Sequence, residues 1–176
     1  MIFEDQYLQI TAKLPTKYIY GLGEAVHDRI RLKTGYTRQG IFSRDHFVEE
    51  GYNLYGSHPF ILGYDSNDEA FGIYFKTGNG VEVDIAPGPT VTWRIIGGIF
   101  DIYFFTGPTA QDVISQYTEI FGRPMIPPFW SLGFQLSRWG WNTLENMEAA
   151  YDRTVNNNIP IDVMYGDIDY RFVLLK

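Results

Sequence analysis

Two carboxylates stand two residues apart in Gly166-Asp167-Ile168-Asp169-Tyr170, directly after the apolar run 159–165. Side chains at i and i+2 share one face of a strand, but where a strand ends their directions can part. Asp167 could accept hydrogen bonds from substrate hydroxyls, or the tetrapeptide could be ordinary turn chemistry. A D-x-D pair is also the type of ligand set that holds a divalent cation in a sugar-nucleotide transferase. Arg138-Trp139-Gly140-Trp141 follows another short apolar stretch. Indole rings there could stack on a sugar or wall a pocket, and equally could pack a core. Arg44-Asp45-His46 lies in a polar stretch where a solvated charge cluster is the alternative to a site. His27, His46 and His58 have no metal-ligand spacing, and His58-Pro59 reads as a structural strand start. Gly21-Leu22-Gly23 lacks the third glycine and the βαβ setting of a nucleotide fingerprint.

The elements that would position these residues change character along the chain. From Tyr7 to Leu14 apolar and polar residues alternate, the period of a half-buried strand. The stretches 60–64, 70–76, 81–85, 91–96 and 99–105 repeat the pattern and are separated by turn residues such as Asp65-Ser66-Asn67-Asp68 and Gly78-Asn79-Gly80. Short strands at this spacing predict an antiparallel sandwich. Residues 24–53 break the rhythm, as a long polar and aromatic loop of the kind that often carries function. Thr109, with Asp112 three residues on, predicts the start of a helix bearing Val113, Ile114, Tyr117, Ile120 and Phe121 on one stripe. Gly122 and Pro124 would end it, and the prolines at 124, 127 and 128 mark a domain boundary. Beyond them, alternation over 130–137 predicts a strand, and residues 143–155 a helix burying Leu144, Met147, Tyr151 and Val155. Residues 159–165 predict a second strand. Strand, helix, strand within about 40 residues is one βαβ unit, which by itself cannot bury both faces of a parallel sheet.

Composition narrows the function classes. The chain has 176 residues, 14 Lys+Arg against 21 Asp+Glu, and a formal charge of −7. Scattered basic residues on an acidic chain argue against a phosphate-backbone partner, so no nucleic acid is expected. No segment is long and apolar enough to span a bilayer, and the first residues have neither the basic nor the apolar region of a signal peptide. Cys is absent, which removes disulfides and thiolate metal sites. Aromatic residues reach 17%, a composition suited to stacking on neutral polar ligands such as carbohydrate.

Taken in order, Tyr20-Gly21-Leu22-Gly23-Glu24, Ile41-Phe42-Ser43-Arg44-Asp45 and Asn53-Leu54-Tyr55-Gly56-Ser57-His58-Pro59-Phe60 resemble the N-terminal β-sandwich of family 31 glycoside hydrolases. Pro127-Pro128-Phe129-Trp130-Ser131-Leu132-Gly133-Phe134-Gln135-Leu136-Ser137-Arg138-Trp139-Gly140-Trp141 and Asp167-Ile168-Asp169-Tyr170 resemble the start of that family's catalytic barrel, most of all in the animal digestive α-glucosidases. The resemblance runs from about Leu8 to Tyr170. It implies a mainly β fold: a galactose-mutarotase-like antiparallel β-sandwich over 1–122, then the first βαβ unit of a truncated (β/α)8 barrel over 123–176.

The same resemblance implies an activity. The family hydrolyses terminal α-glucosidic bonds with retention, which needs two carboxylates about 5–5.5 Å apart. Those residues lie further along the family's barrel, and no position here matches them, so no catalytic residue is assigned. The resemblance makes Asp45, on a sandwich loop that in the family reaches over the barrel mouth, a ligand of the terminal glucose. It makes Asp167 a second such ligand, with Ile168 and Trp139 lining the pocket. Arg44, Arg138, Trp141 and Asp169 become supporting or packing residues. No cofactor and no metal are expected; the partners expected are an α-glucoside oligosaccharide and the remainder of the barrel. Family members are often secreted, lysosomal or membrane-anchored. The end of the chain departs from the family pattern after Tyr170, where Arg171-Phe172-Val173-Leu174-Leu175-Lys176 reads as a truncated product or an incomplete gene model. A non-catalytic carbohydrate-binding β-sandwich module is the alternative; it leaves the βαβ segment unexplained. A metal-dependent sugar transferase would need a nucleotide-sugar fold ahead of the D-x-D pair.

Overall fold

The structure is a computed structural model and describes residues 1–169. The expectations for Tyr170 to Lys176 lie outside the described residues. The chain divides into two compact units, Met1–Arg123 and Pro124–Lys176.

The first unit is mainly β. Its strands are β1 (Ile2–Glu4), β2 (Tyr7–Lys13), β3 (Ile19–Gly21), β4 (Thr37–Ile41), β5 (Phe60–Tyr64), β6 (Ala70–Phe75), β7 (Val81–Ala86), β8 (Thr90–Ile95) and β9 (Ile102–Phe105), followed by helix α1 (Ala110–Phe121). They form two antiparallel sheets, one ordered β1-β2-β8-β7-β4 and the other β3-β5-β6-β9. Alternation does the sorting. Val81, Val83 and Ile85 of β7 and Val91, Trp93 and Ile95 of β8 are buried, and they share one apolar cluster with Ile19, Ile61, Ile73 and Phe75 of the other sheet. On the opposite face of β8, Arg94 bonds Glu82 at 2.7 Å and also Asp84, while Arg38 reaches Asp84 at 3.1 Å, so charges of opposite sign pair across neighbouring strands.

Two expectations change here. Residues 24–53 are not one loop: Thr37–Ile41 is strand β4, paired with β7, and Ala25 bridges Asn53. Thr37-Arg38-Gln39-Gly40-Ile41 has too few apolar residues to show alternation, and it forms an edge strand because β7 offers it a free row of backbone groups. The last predicted strand is also shorter, since Ile99–Asp101 stays outside β9.

Helix α1 starts where the sequence predicts. Thr109 accepts from the Asp112 amide at 3.1 Å, and the Asp112 carboxylate accepts from the Thr109 amide at 3.1 Å, a reciprocal capping box. Its stripe is narrower than predicted. Val113 is fully buried and Tyr117 and Phe121 pack beside it, but Ile114 and Ile120 are exposed. The helix lies on the outer side of the β3-β5-β6-β9 sheet, against Phe60, Ala70 and Phe105. Gly72 makes the approach possible: a Cβ there would stand 2.7 Å from Val113 Cγ1 and 2.9 Å from Phe60 Cζ.

The second unit has β10 (Gln135–Arg138), α2 (Leu144–Asn156) and β11 (Val163–Gly166), with β10 and β11 parallel. The predicted strand over 130–137 begins late, because Phe129–Leu132 is a 3-10 turn. Ser131 explains this: its amide and its hydroxyl both donate to the Pro128 carbonyl, at 2.9 and 2.7 Å, and close a turn on local bonds. Helix α2 begins after the Thr143 N-cap, but its predicted buried face is not buried. Leu144, Tyr151 and Val155 are exposed, and Ala150 is buried instead. Two short strands offer a helix little surface to cover.

Candidate functional site

In the second unit the strand register decides what comes together. The parallel pairing runs from Gln135 opposite Val163 to Arg138 opposite Gly166. Trp139 and Asp167 are therefore the next residues on neighbouring strands, whose backbones run about 4.8 Å apart. Both lie at the C-terminal ends of the parallel strands. Trp139 is 66% exposed, Ile168 is exposed, and Asp167 is partly so. Asp167 Oδ1 accepts from the Ile168 amide at 2.6 Å.

Trp141 and Asp169 behave differently from their sequence neighbours. Trp141 is 8% exposed, its indole N–H donates to the Tyr165 carbonyl at 3.1 Å, and the Arg138 guanidinium lies 5.7 Å from its ring. Asp169 is 7% exposed. Its Oδ2 accepts from the amides of Gly140 at 3.1 Å and Asn142 at 3.3 Å, tying the end of β11 to the loop after β10. These residues pack and tie; Trp139 is exposed and Asp167 partly so.

In the first unit Asp45 is an exposed carboxylate whose Oδ1 accepts a 2.5 Å bond from the Tyr55 hydroxyl. That bond, and the Asp45 charge behind it, push the Tyr55 phenol above its ordinary range. The chain returns to make this contact through Glu24. The Arg44 amide donates to Leu54 O at 2.7 Å, the Leu54 amide to Glu24 O at 2.9 Å, and the Glu24 amide to Gly56 O at 2.7 Å. The Glu24 carboxylate then accepts from the Gly56 amide at 2.8 Å. Gly23, at φ +82°, has no room for a side chain beside this ladder, since a Cβ would lie 2.6 Å from Gly56 O. Arg44 places its guanidinium 5.0 Å from the Tyr52 ring centroid, and His46 stacks on Tyr52 at 4.3 Å. Tyr55 and Glu24 escaped the sequence reading. Both sat in plain view in motifs, but nothing local signals a hydrogen bond ten residues back to Asp45.

Comparison with known proteins gives these geometries a context. Residues 124–174 match the glycosyl hydrolases family 31 TIM-barrel domain. Sucrase-isomaltase from Suncus murinus is 45% identical over 172 residues, 97% of this chain and 10% of its own length. Lysosomal alpha-glucosidase from Rattus norvegicus is 39% identical over 97% of this chain and 18% of its own length.

By sequence, the chain belongs with the family 31 glycoside hydrolases.

It spans about a tenth to a fifth of the length of these curated family 31 relatives. Among solved structures, a Family 31 alpha-glucosidase from Bacteroides thetaiotaomicron superposes with a TM-score of 0.71 at 28% identity, over 86% of this chain and 26% of that one. A cycloalternan-degrading enzyme from Trueperella pyogenes, in complex with isomaltose, superposes at 0.74 over 90% of this chain and 24% of that one. At 20% identity it shows a shared fold alone. No helix among the described residues is long and apolar enough to cross a membrane.

Proposed function

We propose that this chain contributes the glucose-recognition residues of a retaining α-glucosidase acting on terminal α-glucosidic bonds of maltose-like or starch-derived oligosaccharides. The two antiparallel sheets of residues 1–122 serve as its β-sandwich, and residues 123–176 as the first βαβ unit of a (β/α)8 barrel. Further barrel strands are the partner of that unit. The supporting observation is the β10–β11 register. It puts an exposed indole beside a partly exposed carboxylate at the C-terminal ends of parallel strands, where barrel enzymes gather ligand groups.

The chemistry follows from the groups. A glucose ring has an apolar face for Trp139 and a rim of hydroxyls that donate to carboxylates. Asp167 accepts from such hydroxyls with Ile168 against the ring edge. Asp45, an exposed carboxylate of the first unit, is proposed by itself as an acceptor of sugar hydroxyls. Arg44, Arg138, Trp141 and Asp169 hold these residues and leave the sugar untouched. The nucleophile and the acid/base come from outside the positions matched here, so this chain binds without turnover. No metal is assigned to Asp167 and Asp169, since Asp169 spends its Oδ2 on backbone amides.

Titrating the 176-residue chain with maltose while following Trp emission tests the reading. A saturable change, lost in Trp139→Ala and weakened about tenfold or more in Asp167→Asn, is expected when a charged hydrogen bond is removed. Equal responses in all three proteins would defeat it. Release of glucose from an α-glucoside, stopped by an active-site-directed inhibitor, would overturn the claim of binding without turnover.

A further inference from the structure

The loop Trp139–Thr143 is closed by more bonds than a connection of five residues needs. The Asn142 side chain donates to Gly140 O at 3.0 Å, the Asn146 side chain to Trp141 O at 3.0 Å, and the Thr143 amide to Trp141 O at 2.8 Å. Gly140 at φ +92° and Asn142 at φ +65° take left-handed conformations that turn the chain twice within three residues. Such turning aims the Gly140 and Asn142 amides at one point, and Asp169 Oδ2 occupies it. The other oxygen, Oδ1, is buried and has no hydrogen-bond partner among the described residues. Among the described residues the group is thus held through Oδ2.

Neither Trp139 nor Asp167 makes this connection. Trp139 precedes the tied loop by one residue, and Asp167 precedes Asp169 by two. We propose that Asp169 is the positioning residue that fixes the Trp139 loop relative to Asp167, clamping the two strand ends so that the indole and the carboxylate keep one spacing. The clamp rests on the glucose reading only for what the spacing is used for.

The experiment is amide NMR on the full 176-residue chain, with Asp169→Ala and Asp169→Asn beside the wild type. Hydrogen exchange at Gly140 and Asn142 is expected to quicken about tenfold or more in Asp169→Ala, the scale of a lost charged hydrogen bond. Asp169→Asn keeps an acceptor oxygen and is expected to restore most of the protection. In the wild type, hydrogen-bond scalar couplings from the Gly140 and Asn142 amide nitrogens to the Asp169 carboxylate carbon are expected, a readout that needs no variant to fold. Unchanged exchange in Asp169→Ala, or absence of such couplings in the wild type, would overturn the clamp. Maltose provides a separate arm. Weaker binding in Asp169→Ala than in Asp169→Asn supports the clamp's role in spacing. A wild-type chain blind to maltose counts against the glucose reading, while the amide readouts still decide the clamp.

Discussion

Asp45 and Tyr55 show how a residue's chemistry depends on one contact. The phenol donates its proton to a carboxylate that repels the phenolate, so its pKa is raised by the bond first and the charge second. A raised pKa means the folded chain holds that proton more tightly than the unfolded one. The associated stability is present below the unfolded value of about 10 and is lost as pH rises through the higher folded value. Asp45→Asn is expected to bring the Tyr55 phenol back toward about 10, read from its ring carbon in an alkaline NMR titration. An unmoved value would show that the bond does not form in solution. Asp45 itself stands out in sequence only as part of a charge cluster. The family motif gave it a role, and the fold supplied its partner.

At the scale of elements, α1 and the sheet beneath it carry the clearest tests. Thr109→Ala removes the cap that holds the Asp112 amide, and a loss of about 1 kcal/mol in urea denaturation is expected. Phe75 is fully buried between the sheets, so Phe75→Ala is expected to cost about 3–5 kcal/mol by the same measurement. His58 joins the helix to the sheet. It stacks on Phe60 of β5 at 5.4 Å, lies against Tyr74 of β6, and shares a 3.1 Å bond with the Tyr117 hydroxyl of α1. Burial among these uncharged rings lowers its pKa. The folded state therefore resists protonation, and its stability is full above the unfolded value of about 6.5 and falls as pH drops through the lower folded value. Denaturation midpoints measured from pH 7 to 5 should fall more in the wild type than in His58→Phe, and parallel curves would refute the assignment. The helix start was legible because a capping box is local chemistry. Its buried stripe was legible only in part, because Gly72 in β6, some forty residues earlier, admits Val113 while Ile114 and Ile120 stay about half exposed among the described residues.

Across the whole molecule, burial is uneven. Residues 1–123 have two apolar clusters, whereas among the described residues of the second unit only Trp141, Ala150 and Asp169 are buried. Few buried apolar contacts mean a low cost of local opening. Hydrogen exchange followed by mass spectrometry should show β6, β7 and β8 protected far longer than α2 and β11, and uniform protection would contradict this division. The sequence by itself determined the elements with strong local grammar: the alternating strands, the capped helix and the ordered motifs of the family. Those depend on neighbours within a few positions, where periodicity and turn chemistry act. Only the tertiary structure decided that residues 37–41 form an edge strand, that Tyr55 holds Asp45, and that Asp169 is buried and ties down a loop while Asp167 stays partly exposed. These outcomes rest on hydrogen bonds between segments ten to nearly fifty residues apart. A strand edge, a converging pair of amides or a returning chain must exist before such a bond can form, and no local pattern in the sequence records it.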